Sequence, residues 1–73
     1  MAILQGLKVE DLYSLFKGTR LTIRRKFRNS EKEETYAVMC TTRFAFHVSD
    51  KNGKHKIFKW EDYGVNWVAI EIM

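Results

Sequence analysis

Apolar and polar positions change rhythm once along this chain. Between Lys8 and Lys17 the apolar residues Val9, Leu12, Tyr13 and Phe16 recur at i, i+3, i+4 and i+7, with Leu15 on the shoulder of the stripe. That is the period of a helix buried along one side. Glu10 and Asp11 near its start and Lys17 at its end suit the helix dipole, and Gly18 follows as a left-handed cap. The pattern predicts a helix over 8–17. A helix this short is marginal alone in water, so it must dock on the rest of the chain.

From Arg20 onward the period is two. Leu21, Ile23 and Phe27 alternate with Arg20, Thr22, Arg24, Lys26 and Arg28, predicting a strand over 20–28 with one apolar and one cationic face. Arg25 breaks the alternation and falls on the apolar side. A β-bulge near Arg24–Arg25, or a place at the sheet's rim, would return its guanidinium to water. The other reading points it into a mouth where it meets a ligand. Asn29 to Glu34 reads as a polar, mostly acidic turn. Pairing Phe27 with Tyr36 and Ile23 with Cys40 then keeps the apolar sets together. In that register the first-strand cations face Ala37 and Met39, with no acid across from them.

From Tyr36 to Val48 every even position except Thr42 is an apolar residue or Cys40. A straight strand of that length, at about 3.3 Å per residue, is too long for so small a domain. The run therefore either bends or turns at Thr41-Thr42-Arg43. The turn pairs Val38 with Phe46 and Tyr36 with Val48, giving strands over 35–42 and 43–49. Asp50-Lys51-Asn52-Gly53 is the clearest turn signal. A two-residue Asn-Gly loop would set Phe46 against Lys59 and mix the faces. A three-residue Lys51-Asn52-Gly53 loop with Gly53 left-handed sets Phe46 against Phe58 and Phe44 against Trp60. A strand over 54–60, a turn at Glu61–Gly64 and a strand over 65–72 complete the chain. Val68, Ile70 and Ile72 on one side of that last strand, and Val65, Trp67 and Ala69 on the other, mark it as central or barrel-closing.

A short helix followed by four or five strands joined by tight turns describes a single domain over 1–73, α+β and mainly β. The expected architecture is a small, strongly curved antiparallel β-barrel. Its element order resembles the SH3-like group, the Sm-like members in particular, which also begin with a helix. Neither an Sm-type signature nor the proline-binding signature of SH3 domains accompanies that order, so the resemblance implies fold alone. The alternative is an open antiparallel sheet with the helix packed on one face.

Composition narrows the functional classes. Two Trp, three Tyr and five Phe in 73 residues supply large apolar areas to a core that is otherwise short of material. Cys40 is the lone cysteine, so no internal disulfide staples the fold, and it reads as a buried thiol in a reducing compartment. The first six residues lack the cationic lead and apolar run of a signal peptide, and no stretch approaches the roughly 20 apolar residues of a membrane span. The expected location is the cytoplasm, away from membranes.

Net charge is +4 with a pI near 9.4, which points to nucleic acid, RNA or DNA, or to an acidic protein surface. Arg20, Arg24, Lys26 and Arg28 recur at period two and project about 7 Å apart, near the spacing of successive phosphates. Arg25 joins them in the mouth reading. Lys54, Lys56 and Lys59 form a second basic cluster, and Trp60, with Tyr63 and Trp67, offers stacking platforms. There is no Gly-rich phosphate loop, nucleophile elbow, zincin motif or cysteine cluster. Glu33-Glu34 and Glu61-Asp62 sit in turns, His47 reads as a strand residue and His55 as a surface group. The sequence therefore predicts a small non-enzymatic nucleic-acid-binding module, without cofactor or metal, that grips backbone phosphate through its basic first strand. The alternative is a protein-binding modulator or inhibitor of the phage accessory type, docking on a larger partner. A homo-oligomer through an unpaired strand edge is compatible with both.

Overall fold

A computed structural model gives the fold and describes residues 6–73. The leader reading falls largely on residues 1–5, outside the described residues. A short helix α1 (Val9–Tyr13) precedes strands β1 (Arg20–Phe27), β2 (Ser30–Thr41), β3 (Ala45–Ser49), β4 (His55–Lys59) and β5 (Trp67–Ile72), with a 3-10 turn at Trp60–Asp62. The strands form one antiparallel sheet in the order β4-β3-β2-β1-β5. Among the described residues no ladder joins β4 to β5, so the sheet is not closed into the expected hydrogen-bonded barrel.

Alternation dictates which residues fill the concave side. Leu21 and Ile23 of β1, Tyr36 and Val38 of β2, Phe46 and Val48 of β3, Phe58 of β4, and Trp67 and Ala69 of β5 are buried in one cluster with Leu12 of α1. Each large side chain there contributes roughly 1.5–3 kcal/mol by leaving water. The sheet curls until Phe58 and Trp67, from its two outermost strands, lie 5.0 Å apart between ring centroids. The Trp67 indole donates to the Lys59 carbonyl at 2.8 Å and spans the remaining gap. Gly6 and Leu7 lie along the outer edge of β5. The Leu7 amide donates to the Ala69 carbonyl at 2.7 Å, and the Tyr63 hydroxyl donates to the Leu7 carbonyl.

The helix is half the expected length. It ends at Tyr13, and the Ser14 hydroxyl donates back to the Asp11 carbonyl at 3.0 Å. The cause is the neighbouring ladder. The Gly18 amide donates to Val38 and the Val38 amide to Thr19, both at 2.8 Å, which draws the chain into the sheet early. Gly18 is left-handed (φ +93°), as expected, but in a turn rather than at a helix cap. Leu15 still packs on the core, whereas Phe16, assigned to the helix stripe, is exposed.

The first hairpin differs most from expectation. Its loop has only two residues, Arg28 and Asn29, so Phe27 pairs with Ser30 rather than with Tyr36, and Ile23 with Glu34 rather than Cys40. The supposed acidic turn is the first half of β2. Arg28 takes the left-handed conformation the tight loop needs (φ 37°), a place where glycine or asparagine is the usual signal. The bulge expected at Arg24–Arg25 falls at Thr22–Ile23 instead, in the pairing of β1 with β5.

A second irregularity, between Val38 and Cys40, reverses the parity of β2. Cys40 is therefore exposed, not buried. The long apolar run turns, as one of the two readings held, but at Thr42–Phe44. Val38 accordingly pairs with Val48, and Phe44 is left in solvent. The second hairpin matches expectation: Phe46 pairs with Phe58 across a Lys51-Asn52-Gly53 loop with Gly53 at φ +82°. The strand β5 is outermost in the sheet, not central. Its outer edge is met by the Leu7 amide, and Gly6 lies against Val68, whereas Val65 and Ile72 are exposed.

Candidate nucleic-acid interface

The corrected register changes the electrostatics of β1. Arg24 lies opposite Glu33 and Lys26 opposite Glu31, so the cationic ladder is not uncompensated. Arg24 engages Glu33 through two nitrogens, Nη2 at 2.9 Å and Nε at 3.2 Å, in the one ion pair among the described residues. Between Arg20 and Glu34 the hairpin still carries six cations against three carboxylates. Arg20 stands apart at the other end of β1, opposite Ala37, and Arg28 sits in the hairpin loop. Lys54 belongs to the β3–β4 loop, and Lys56 pairs with Val48, away from β1.

What the fold does bring together lies at the gap between the sheet's two ends. A cleft of about 230 Å³ is lined by Arg25, Lys26 and Phe27 of β1, Ile57, Phe58 and Lys59 of β4, and by Asp62, Asn66 and Trp67. A second cleft of about 400 Å³ runs on past β4 and is lined by Arg43, Phe44, Ala45, Ile57, Lys59, Trp60 and Glu61. Ile57 and Lys59 belong to both, so the two form one strip along the unpaired edge of β4.

Arg25 is the centre of the first cleft. Its position on the core side of β1, expected from parity alone, puts the guanidinium carbon 4.7 Å from the Phe27 ring centroid and 5.4 Å from that of Phe58. Its Nη1 reaches the Tyr36 hydroxyl at 3.5 Å, and that hydroxyl donates to Glu34 at 3.2 Å. Burial pushes the Tyr36 hydroxyl up from the usual tyrosine range, with the Arg25 guanidinium opposing. Most of the five N–H donors of Arg25 are thus uncommitted, and no carboxylate stands at ion-pair distance. An arginine held between two rings, half-buried and without an anion, is suited to phosphate or carboxylate recognition. Asp62 on the cleft wall tempers the positive field supplied by Arg25, Lys26 and Lys59.

The aromatic expectations resolve differently. Trp67 is buried and is no platform. Trp60 is half-buried, stacked on Tyr13 at 4.7 Å, and anchored by its indole to the Thr42 carbonyl at 2.8 Å. Tyr63 packs edge-on against Trp67 at 4.8 Å. The rings that do meet solvent beside cations are Phe27 and Phe44, 41% and 75% exposed. Of the residues lining this strip, Arg25, Lys26, Lys59 and Trp60 were sequence candidates, while Phe27, Arg43, Phe44 and Ile57 were not. Among the described residues no three His, Cys, Asp or Glu side chains gather as a metal site, and no helix is long and apolar enough to cross a membrane. In comparison with known proteins, no family model, no curated protein and no solved structure gives a significant match.

Proposed function

We propose that this protein is a small non-enzymatic module that binds single-stranded nucleic acid along the β4 edge, on a curled sheet we read as an incompletely closed SH3-like barrel. The observation that carries this is Arg25, a half-buried guanidinium without a carboxylate partner, at the head of a strip that interleaves Lys26, Lys59 and Arg43 with Phe27, Ile57 and Phe44. Cations alternating with exposed rings are what a strand of phosphates and bases requires. The gripping surface in this reading is the gap between the sheet's ends, with Arg24 held by Glu33. The exposed free thiol of Cys40 suits a reducing compartment, and the cytoplasm is the location this reading implies.

Titrating fluorescently labelled single-stranded RNA and DNA over a range of salt tests the proposal. Arg25→Ala/Lys59→Ala should weaken binding about tenfold or more at low salt and reduce the slope of log K against log salt by roughly one to two. Arg24→Ala should change both much less. Equal binding by the double variant and the wild type would overturn the proposal. A second reading rests on Phe44 and Ile57, 75% and 57% exposed on the same strip, which suit a hot spot for a protein partner of the modulator type. Stoichiometric retention of a protein from lysate after nuclease treatment favours that reading.

A further inference from the structure

The three-residue loop between β3 and β4 brings the chain's only two histidines together. His47 pairs with Ile57 and His55 with Ser49, so the two are diagonal neighbours on the face turned away from the core. The Nδ1 of His47 and the Nε2 of His55 lie 3.0 Å apart, with ring centroids 5.1 Å apart. Among the described residues the only hydrogen bond either ring makes is to the other. We infer that this pair is a chelating site for a divalent transition-metal ion, Cu(II) or Ni(II).

The distance is compatible with a shared metal. Imidazole nitrogens bound about 2.0–2.1 Å from one metal stand about 2.9 Å apart when they subtend a right angle, and about 3.3–3.4 Å apart in a tetrahedron. The observed 3.0 Å is a hydrogen-bond separation within a few tenths of an ångström of both, so ring rotation reaches either, and it is the order of divalent affinities that favours copper. The hairpin holds the two backbones in place. Asp50 and Lys54 close its neck at 2.9 Å, and the Asp50 carboxylate accepts from the Asn52 and Lys54 amides, each at 2.9 Å. In the metal-free pair one facing nitrogen carries the shared proton. On binding, that ring moves its N–H to its distal nitrogen, so both facing lone pairs reach the metal and no proton need be lost. The rings turn about their side-chain torsions to aim those lone pairs, which an exposed location allows. With no third donor gathered there among the described residues, water or an external donor fills the remaining positions. Lys54 and Lys56 flank His55 and moderate the affinity for a cation.

Calorimetric titration with NiCl2, CuCl2 and ZnCl2 near neutral pH tests the assignment, using the full chain with Cys40→Ser to remove thiolate binding. One metal should bind per chain, copper tighter than nickel and nickel tighter than zinc. His47→Gln and His55→Gln should each weaken binding about tenfold or more, and the double variant should lose less than the sum of the two singles, because either one alone already breaks the chelate. Single variants that each keep binding within about twofold, or whose losses add, would overturn the site. Circular dichroism checks that the variants fold. Where one does not, electron paramagnetic resonance of the Cu(II)-loaded Cys40→Ser chain decides. Coupling to two imidazole nitrogens supports the chelate, and coupling to one or none rejects it.

Discussion

Two adjacent arginines on one strand have opposite surroundings. Arg24 faces outward to Glu33, and both partners are partly in water, with side chains 33% and 50% exposed. A double-mutant cycle on Arg24→Ala and Glu33→Ala should give a coupling below about 1 kcal/mol that shrinks as salt is added. Arg25 faces inward to two rings and a tyrosine hydroxyl, and its removal should be felt in binding rather than through a salt-sensitive pair. Sequence parity located Arg25 correctly on the apolar side. It did not reveal what compensated Arg24 and Lys26, because that depended on a register set by a loop whose left-handed residue is an arginine. The solvent exposure of Phe27 and Phe44 was equally hidden, since apolar residues on the core parity of a strand lose their cover wherever the sheet ends beneath them.

At the scale of single elements, the two hairpins show what makes a register readable. The β3–β4 loop carries Asn52-Gly53, and the requirement that Phe46 meet Phe58 selected its length correctly. The β1–β2 loop has no glycine, and the acids that follow looked like loop while serving as strand. The β3–β4 loop also sets a pH dependence. Hydrogen bonds from the Lys54 and Asn52 amides, aided by Lys56 and Lys54, hold the Asp50 carboxyl below the usual carboxylate range. A depressed folded pKa means that the contribution of Asp50 is complete above the ordinary carboxylate value and is lost as pH falls through the folded one. Acid unfolding followed by circular dichroism should therefore begin at higher pH in Asp50→Ala, which also loses the acceptor for two amides. Asp50→Asn, which keeps an acceptor, should retain more stability than Asp50→Ala at neutral pH. The helix was over-read for a different reason: of its stripe only Leu12 is buried, and the sheet claims Gly18 and Thr19, so the helix ends at Tyr13.

For the molecule as a whole, element order and a count of four or five strands were legible, with curvature expected from the tight turns. Closure was not, because alternation states which side of a strand is covered and says nothing of whether the last strand reaches the first. Here β5 pairs with β1 and leaves the outer edge of β4 unpaired. Trp67 is the piece that bridges them, at 2% exposure and with its indole bonded to Lys59. Trp67→Phe keeps most of the apolar area and removes the donor, stranding the Lys59 carbonyl. It should cost about 1–3 kcal/mol in urea unfolding, against the several kcal/mol expected of Phe46→Ala in the centre of the core.

The indole clasp also sets where the molecule breathes. Parting a ladder breaks several backbone bonds at once, whereas parting β4 from β5 breaks one donated by a side chain. The Trp67 indole hydrogen should therefore exchange with solvent through a low-energy local opening, well before the amide hydrogens in the ladder of β1 and β2. The same opening is the widest door available to anything entering beside Arg25.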